Sequence, residues 1–541
     1  MKKILIPAAK VVPEELQRIG KLPAIIYPIN KKIVFDFLYE QYQEIASSFD
    51  VICYEKAENV HQIMENYKDE KIVVKDLEIL GDLGNTIYFG LENESTVIIN
   101  FSDTIVFDNI YEETADCYFY AEDFVSERWT FFEEVDGVIT QIYDKNMLSS
   151  ASKGKLFVGV FQICDSICFK RCLEKAFLLK LNNISTFFYA LMEYSKIHPM
   201  KAIKTDNWFD IGHLDKYYDS LLAVKAREFN QIKIDKNRAI LRKTSEEKDK
   251  FIGEILWYLK LPTDIEYVRP RIFSYSIEYA NPYVEMEYYS YHTLHELFLY
   301  GELSQNQWRS ILQCIHLMCK DFGRYQVYGD RIKEALEEVY LNKTIYRIEK
   351  LKEQDDFKNF INRKIKINGI MYKSLDEIMR VLRDIIPKTL YDVDVFQIIH
   401  GDLCFSNILI DNTFSFIKVV DPRGKFGGYD IYGDFRYELA KLFHSVDGKY
   451  DYIIKDLFEI SIDTENTEIN YVIREHNWGF DVYELLINEF KDDINNIKEI
   501  ELIEALLFLS MIPLHCESKK HQFAMLATGI QILNRVVDIK G

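Results

Sequence analysis

Residues 400–409 read HGDLCFSNIL, which sets His400, Asp402 and Asn407 in a polar break between two apolar runs, 395–399 and 408–410. Asp421 follows at the end of ILIDNTFSFIKVV. Runs 408–410 and 416–420 have the pattern of a hairpin that turns near 411–413. That folding returns Asp421 to the end of the hairpin where Asn407 stands. An amide oxygen and a carboxylate facing one cavity are hard oxygen donors suited to Mg²⁺. Asp402 beside them can accept a proton or align a hydroxyl. This layout suits phosphoryl transfer, in which a metal neutralises phosphate charge and a carboxylate orients the attacking oxygen. The plain alternative is a polar loop in an ordinary hairpin, and a second is a site that binds nucleotide without catalysis. Four residues of fitting type and spacing, between two strand-like runs, weigh against the first.

The same stretch, HGDLCFSNILID…IKVVDPRG, resembles the aminoglycoside phosphotransferase and choline kinase family, small-molecule relatives of the protein kinases. The resemblance implies an α+β bilobal protein-kinase-like domain that uses ATP and Mg²⁺ to phosphorylate a hydroxyl. It implies Asp402 as catalytic aspartate, Asn407 and Asp421 as metal ligands, and His400 as the residue that braces the loop. Lys243, in AILRKTS, stands where the family places its phosphate-contacting lysine, and Glu254 where that lysine's ion-pair partner lies. EMEYY, with Glu287 at its centre, stands where the lobes join and adenine docks. Asp434 in YGDFRYELAKL stands where an acidic residue braces the catalytic loop. The chain departs in one respect: FNQIKIDKNRAIL, ahead of Lys243, contains no glycine, so no glycine-rich loop covers the phosphates.

The start of the chain, ILIPAAKVVPEELQRIGKLPAIIYPINKKIVFDFLYEQY, resembles the sugar-phosphate and choline-phosphate nucleotidyltransferases. An α/β nucleotidyltransferase-like (Rossmann-like, GT-A type) domain is what this implies. Pro23 and Pro28–Ile29 stand where that family has a Pro-Lys pair and a PI turn. Asp103 in INFSDTIV and Asp210 in NWFDIGH correspond to its two metal-holding aspartates, with Trp208 and Gly212 in the same motif. Carboxylates sharing a metal activate a phosphate to attack the α-phosphorus of CTP or another NTP. The chain departs at the phosphate loop. Lys10, Val11, Val12 and Pro13 replace glycines and an arginine, and Pro13 has no amide hydrogen to offer a triphosphate. Pro23–Ala24 replaces Pro-Lys, leaving Lys10 or Lys21 as candidate substitutes. A diverged domain that binds a ligand or a partner is the alternative to retained transfer.

These residues need elements to hold them. KKILIPAA reads as a buried strand, 35–45 as a helix through Phe35, Leu38, Tyr42 and Ile45, and STVIINFSD as a strand ending at Asp103. YEETADCYFY, WTFFEEV and GVITQIYDK read as further strands or hairpins, and 214–225 as a closing helix. FNQIKID and RAILRKTS read as antiparallel strands turning near 235–237. A helix follows in TSEEKDKFIGEILWYLKL, with Thr244 and Glu247 as a capping box. RIFSYSIEY and PYVEMEYY complete a small sheet. From about residue 293 the pattern is helical apart from a strand–loop–strand insert at 395–421. The expected domains are 1–225 and 226–541, the second with a small lobe at about 226–290 and a helical lobe at about 291–541.

Composition sets the bounds. The 541 residues are 48% hydrophobic and 28% charged, an ordinary globular balance, with formal net charge −20. A surface this acidic repels phosphate backbones and disfavours nucleic-acid partners. The 36 Tyr and 36 Phe act as sugar or base platforms only where they cluster. Cysteines occur without a CxxC pair, which argues against a zinc ribbon; Cys164, Cys168 and Cys172 recur at helical spacing and read as buried thiols. MKKILIPAAK has too short an apolar core for a secretory signal, and run 505–514 is too short to cross a bilayer, so a cytoplasmic protein without membrane insertion is expected. The expected function is an ATP- and Mg²⁺-dependent kinase of a choline-like, polyol or sugar hydroxyl, coupled to nucleotidyl transfer onto the product for surface (capsular) polysaccharide or headgroup synthesis. The alternatives are a non-catalytic scaffold of pseudokinase and inactive transferase folds, or nucleotidyl transfer as the main activity. DPRGKFGGYDIYGD leaves no room for a long activation segment, which disfavours a protein kinase. Acceptor and oligomeric state are open.

Overall fold

Apolar runs with no polar face become the inner strands of a parallel sheet. KKILIPA does so here as β1 (Lys2–Ala8), buried along nearly its whole length. The computed structural model describes all residues except 30–31, 93–95, 111–112, 125, 127, 146–152, 180, 182–183, 215, 218–231 and 236. The chain divides into two compact units, Met1–Val224 and Lys225–Gly541. The boundary, and most of the helix expected at 214–225, lie outside the described residues.

In the first unit, β1 is followed by α1 (Val34–Tyr42), β2 (Ala46–Cys53), β3 (Ile72–Asp76), β4 (Val97–Asn100) and β5 (Thr104–Val106). Next come β6 (Cys117–Phe124), β7 (Thr130–Val135), β8 (Val138–Asp144), β9 (Lys153–Ile163), α2 (Ser166–Phe177), α3 (Thr186–Ser195), β10 (Lys201–Lys204) and β11 (Trp208–Asp210). The main sheet runs β8-β7-β9-β4-β1-β2-β3, with β6 beside β9 and β10 beside β6. β1 is parallel to both β2 and β4, and β9 returns antiparallel to β4. The expected α/β sheet is present. α2 and α3 bury Phe169, Leu173, Phe187 and Leu191 against Leu5, Val97, Ile99 and Phe161. The three spaced cysteines do not share a helical face, because Asp165 caps α2 and leaves Cys164 outside it. In open α/β sheets a ligand binds beyond the carboxyl ends of the strands where the strand order reverses. That point here lies between β1, which runs out toward Lys10, and β4, which runs out toward Asp103.

In the second unit, β12 (Ile232–Asp235), β13 (Ile240–Thr244), β14 (Ile272–Ser276) and β15 (Tyr283–Glu287) form an antiparallel sheet in the order β12-β13-β15-β14. α4 (Lys248–Lys260) follows β13, and its N-cap is Glu247 without a side-chain cap bond. The expected capping box is therefore absent, because Thr244 is held as the last residue of β13, paired with Tyr283. Helices dominate beyond residue 293, among them α5 (Lys343–Lys350), α6 (Phe435–Val446) and α7 (Ile497–Met511). A second sheet interrupts them, contrary to the sequence expectation. It comprises β16 (Ile365–Ile367), β17 (Ile370–Tyr372) and, after the hairpin strands β18 (Ile408–Ile410) and β19 (Ile417–Val419), β20 (Phe458–Asp463) and β21 (Glu468–Ile473). β16 and β17 have three residues each, too few for alternation to stand out in the sequence. Among the described residues, no helix is long and apolar enough to cross a membrane.

Candidate active sites

In the first unit, Asn100 is fully buried at the end of β4, and its amide donates to the Phe101 and Thr104 carbonyls, both at 2.9 Å. The loop so folded presents Asp103. β11 pairs with β5, Asp210 opposite Thr104, which returns Asp210 to the same place. The Ile211 N–H donates to the Asp103 carbonyl at 2.8 Å, locking the two segments together. A Cβ on Gly212 would lie 3.0 Å from Asp103 Oδ2 and 3.2 Å from Asp210 Oδ1, so both carboxylates border one gap that glycine keeps open. Burial first, and the Asp210 charge second, push the Asp103 carboxyl above the usual range. Two carboxylates bordering one gap are what a divalent cation binds, and the hard-oxygen donor set fits Mg²⁺. His213 Nδ1 lies 2.7 Å from Asp210 Oδ2, and that hydrogen bond raises the imidazole pKa.

A cavity of ≈ 450 Å³ opens over the two aspartates. Phe101, Phe157 and Phe188 line it on the apolar side, and Lys10, Arg128 and Lys145 bring cations to it. Trp129 lies edge-on to both Trp208 and His213, at 5.3 and 4.8 Å. The loop after β1 offers few amides to a phosphate: Val11 N–H donates to Glu55 Oε2 and Val12 N–H to the Leu22 carbonyl, each at 2.9 Å. Side-chain cations stand where backbone donors would be expected. Of the two candidate lysines, Lys10 is in the cavity wall, whereas Lys21 is not among its lining residues. Arg128, Lys145 and His213 were not legible as site residues, since each is an isolated polar residue in sequence.

In the second unit, α4 carries the supports on one face. Glu254, Trp257 and Tyr258 are three and four residues apart and so point the same way. Glu254 receives Lys243 Nζ on both carboxylate oxygens at 2.9 Å, and Lys243 also reaches Asp421 Oδ1 at 2.8 Å. Trp257 Nε1 donates to the Ile399 carbonyl at 2.7 Å, and the Asp421 N–H donates to the Tyr258 hydroxyl at 3.0 Å. Burial would discharge Lys243, but Asp421 and Glu254 outweigh it and raise its pKa. Burial lifts Glu254 to about 7 against the pull of Lys243.

The expected hairpin forms, with Ile408 opposite Val419 and Val420 N–H donating to the Asn407 carbonyl at 3.0 Å. Asn407 Nδ2 donates to the Asp402 carbonyl at 2.8 Å, so its amide oxygen points away from that bond. His400 is buried, donates from Nε2 to the Val420 carbonyl at 3.0 Å, and accepts at Nδ1 from Asp402 N–H at 3.3 Å. Burial lowers its pKa to about 4, leaving a neutral ring that ties the loop to the hairpin. Asp402 Oδ1 meets Lys441 Nζ at 2.8 Å. Burial opposes its charge, yet Lys441 prevails and holds the carboxyl at about 2. Asp402, Asn407, His400, Asp421, Lys243 and Glu254 thus form one connected group. Glu287 does not join it: its carboxylate accepts from the Tyr289 hydroxyl at 2.7 Å and faces a separate ≈ 410 Å³ cavity with Arg269 and Lys418.

Asp434 does not brace the loop. It caps α6, accepting from Arg436 N–H at 2.9 Å and from the Tyr340 hydroxyl at 2.8 Å. The brace is Glu438, one helical turn on, whose carboxylate accepts from His400 N–H at 2.9 Å and Gly401 N–H at 2.7 Å. Glu438 and Lys441 were both missed in sequence. The available signal was two charged residues three apart among apolar neighbours in the helix, where charges stay buried only when paired.

No family model and no curated protein matches the chain. Solved structures similar to its N-terminal part include a nucleoside-diphosphate-sugar pyrophosphorylase from Vibrio cholerae RC9, at 14% identity and TM-score 0.33, covering 40% of this chain and 99% of that one. CTP:phosphocholine cytidylyltransferase from Streptococcus pneumoniae is similar at 16% identity and TM-score 0.34, covering 41% and 98%. The inositol-1-phosphate CTP transferase from T. maritima is similar at 13% identity and TM-score 0.31, covering 42% and 96%.

Proposed function

We propose that the first unit transfers a nucleotidyl group from CTP or another NTP to a phosphomonoester. The observation that carries this reading is the convergence of Asp103 and Asp210 on the gap over Gly212. A Mg²⁺ held there by both carboxylates would neutralise phosphate charge and polarise the α-phosphate. Lys10, Arg128 and Lys145 meet the triphosphate and the incoming monoester, in place of a glycine-rich loop. A monoester oxygen bonds to the α-phosphorus as the bond from that phosphorus to the α–β bridging oxygen breaks, and pyrophosphate leaves. The full-length protein with Mg²⁺, CTP or UTP, and a panel of phosphomonoesters should release pyrophosphate, and Asp103→Ala should lower that release by at least about 100-fold. Release that is unchanged in Asp103→Ala overturns the reading.

A second reading concerns the second unit and has its own support, the Lys243 bridge between Glu254 and Asp421 beside the Asp402–Asn407 loop. It assigns transfer of the γ-phosphoryl group of ATP to a hydroxyl of a small metabolite. Asn407 and Asp421 would hold Mg²⁺, whose chemistry is charge neutralisation on the phosphates. Lys243 contacts phosphate and Glu254 fixes it. Asp402 orients the acceptor hydroxyl and takes its proton. Phosphorus NMR with ATP, Mg²⁺ and an acceptor panel should show a new phosphomonoester, reduced by at least about 100-fold in Asp402→Asn, as for loss of a positioned base. Unaltered turnover in that variant removes Asp402 from the chemistry.

A further inference from the structure

His515 and His521 stand six residues apart in HCESKKH, with Glu517 between them. None of the three takes part in either proposed reaction. Pro513, which has no amide hydrogen to continue α7, sits in the 3₁₀ turn Ile512–Leu514. Ser518 then caps α8 (Lys519–Val536), its hydroxyl accepting from His521 N–H at 3.3 Å. The turn and the cap bring one donor atom from each of His515, Glu517 and His521 within 4.8 Å of the other two. His515 Nδ1 lies 3.0 Å from Glu517 Oε1. The two imidazole centroids are 6.4 Å apart, so their nitrogens come within 4.8 Å only if each ring turns one toward the other.

His521 carries an independent sign. It is 8% exposed, and its Nδ1 is buried with no hydrogen-bond partner among the described residues. Its other nitrogen, Nε2, lies 3.1 Å from Oδ1 of Asp456, two residues ahead of β20. Buried polar atoms normally have partners, and one without needs a reason. A carboxylate on one ring nitrogen fixes the tautomer: Nε2 keeps its hydrogen for Asp456, and Nδ1 presents a lone pair. That is the outer support of a metal-bound histidine. Glu517 is 62% exposed and opens the group to solvent. Glu517 and Asp456 bring two negative charges, which match a divalent cation and outweigh the partial positive charge at the start of α8. The other such group among the described residues is Asp165, Cys168 and His198. There Asp165 Oδ1 accepts from Cys168 N–H at 2.8 Å, and no side-chain atom of the three is buried without a partner.

We propose that His515, Glu517 and His521 bind one Zn²⁺, with Asp456 holding the His521 ring from behind and water as the fourth ligand. Two imidazoles and one carboxylate suit zinc, whereas Mg²⁺ and Ca²⁺ take oxygen donors. Tetrahedral zinc with bonds of about 2.0–2.1 Å needs its donors about 3.3 Å apart, so the group contracts by no more than about 1.5 Å on binding. The exposed Glu517 side chain is free to make most of that movement. The ion ties the turn after α7 to the start of α8 and, through Asp456, to the chain entering β20. It is distinct from the Mg²⁺ proposed at Asp103 and Asp210 and at Asn407 and Asp421, where every donor is oxygen. The inference does not depend on either proposed reaction.

The test uses the full chain without an affinity tag, stripped of metal with a chelator and titrated with Zn²⁺ in a calorimeter. Excess Mg²⁺ is present to fill the oxygen-only sites. Wild type should bind one equivalent that His515→Ala, His521→Ala and Glu517→Ala each lose or weaken at least about tenfold. Asp456→Asn should keep the equivalent and weaken it about tenfold, as for loss of an outer partner. Cys516→Ser, which removes the exposed thiol between the ligands, and His198→Ala should leave it unchanged. Zn²⁺ at about 100 times its Kd should raise the Tm of wild type and leave that of Glu517→Ala in place. Glu517 is a surface residue, so its variant keeps the test valid even if removal of the buried His521 impairs folding. Zinc binding that is absent from wild type, or equal in wild type, His515→Ala and Glu517→Ala, overturns the proposal. So does a loss confined to Cys516→Ser, which would assign the ion to the thiol, or to His198→Ala, which would assign it to the other group.

Discussion

The proton-accepting role proposed for Asp402 needs it ionised, and its neighbours, Lys441 first, favour that form. Burial disfavours the carboxylate, and the Lys441 ammonium at 2.8 Å more than compensates, which brings the carboxyl down to about 2. The sign of the consequence is fixed. Lys441→Met removes the largest stabilising charge, so the Asp402 pKa rises. Because the ionised form is the active one, the acid limb of the kcat/KM profile moves to higher pH. The limb that Asp402 contributes should lie at higher pH in Lys441→Met than in wild type. A pH profile that is identical in the two proteins would mean that Lys441 does not set the charge of Asp402. His400 contrasts with this pair. Held neutral with its pKa at about 4, it contributes geometry and no proton near neutral pH.

Whole elements carry the arrangement that these residues exploit. α4 alone supplies Glu254 to Lys243, Trp257 to the chain before His400, and Tyr258 to Asp421. It fits because the loop beyond Asp421 passes close over it: a Cβ on Gly424 would lie 2.1 Å from the Gly253 carbonyl oxygen. α6 hooks the loop from the other side through Glu438. Burial lifts that carboxyl to about 7, against the pull of the His400 and Gly401 amides. A folded-state pKa above the ordinary 4.5 means that the folded protein holds this proton more readily than the unfolded one. Stability from Glu438 is therefore fully present below about pH 4.5 and is lost as pH rises through about 7. Glu438→Gln should flatten that slope in urea unfolding, and should cost about 1–3 kcal/mol at pH 5, because its NH₂ cannot accept from an amide. A slope that persists in Glu438→Gln would assign it to other buried carboxyls, Glu254 and Glu504 among them. The hairpin that holds Asn407 and Asp421 was legible because apolar alternation and a polar turn are local signals. Glu438 was not, because the turn it braces lies more than thirty residues away in sequence, and Asp434 four residues earlier matched the expected type. The sheet β17-β16-β21-β20 was missed for a related reason: β16 pairs with β21 about a hundred residues later, and no local pattern announces that partner.

At the scale of the whole chain, two units each bring acidic groups and cations together, although the formal net charge is −20. In the first unit Lys10, Arg128 and Lys145 line the cavity over the two aspartates; in the second, Lys441 meets Asp402 and Lys243 meets Asp421. The two proposed reactions are chemically consecutive. A hydroxyl phosphorylated in the second unit is a phosphomonoester, and a phosphomonoester is the nucleophile proposed for the first. The order follows from the functional groups alone and can be tested without knowing how the units are disposed. With ATP, CTP, Mg²⁺ and a competent acceptor, wild type should form the nucleotide conjugate and pyrophosphate. Asp103→Ala should stop at the phosphomonoester, which then accumulates. Asp402→Asn should form neither product from the hydroxyl compound, yet should yield the conjugate when the phosphomonoester is added directly. Chromatography coupled to phosphorus NMR separates all three species. If Asp103→Ala also stops phosphomonoester formation, the sites are not independent. If Asp402→Asn fails with added phosphomonoester, the product of the second unit is not the substrate of the first, and the two chemistries share a chain without sharing a sequence of reactions.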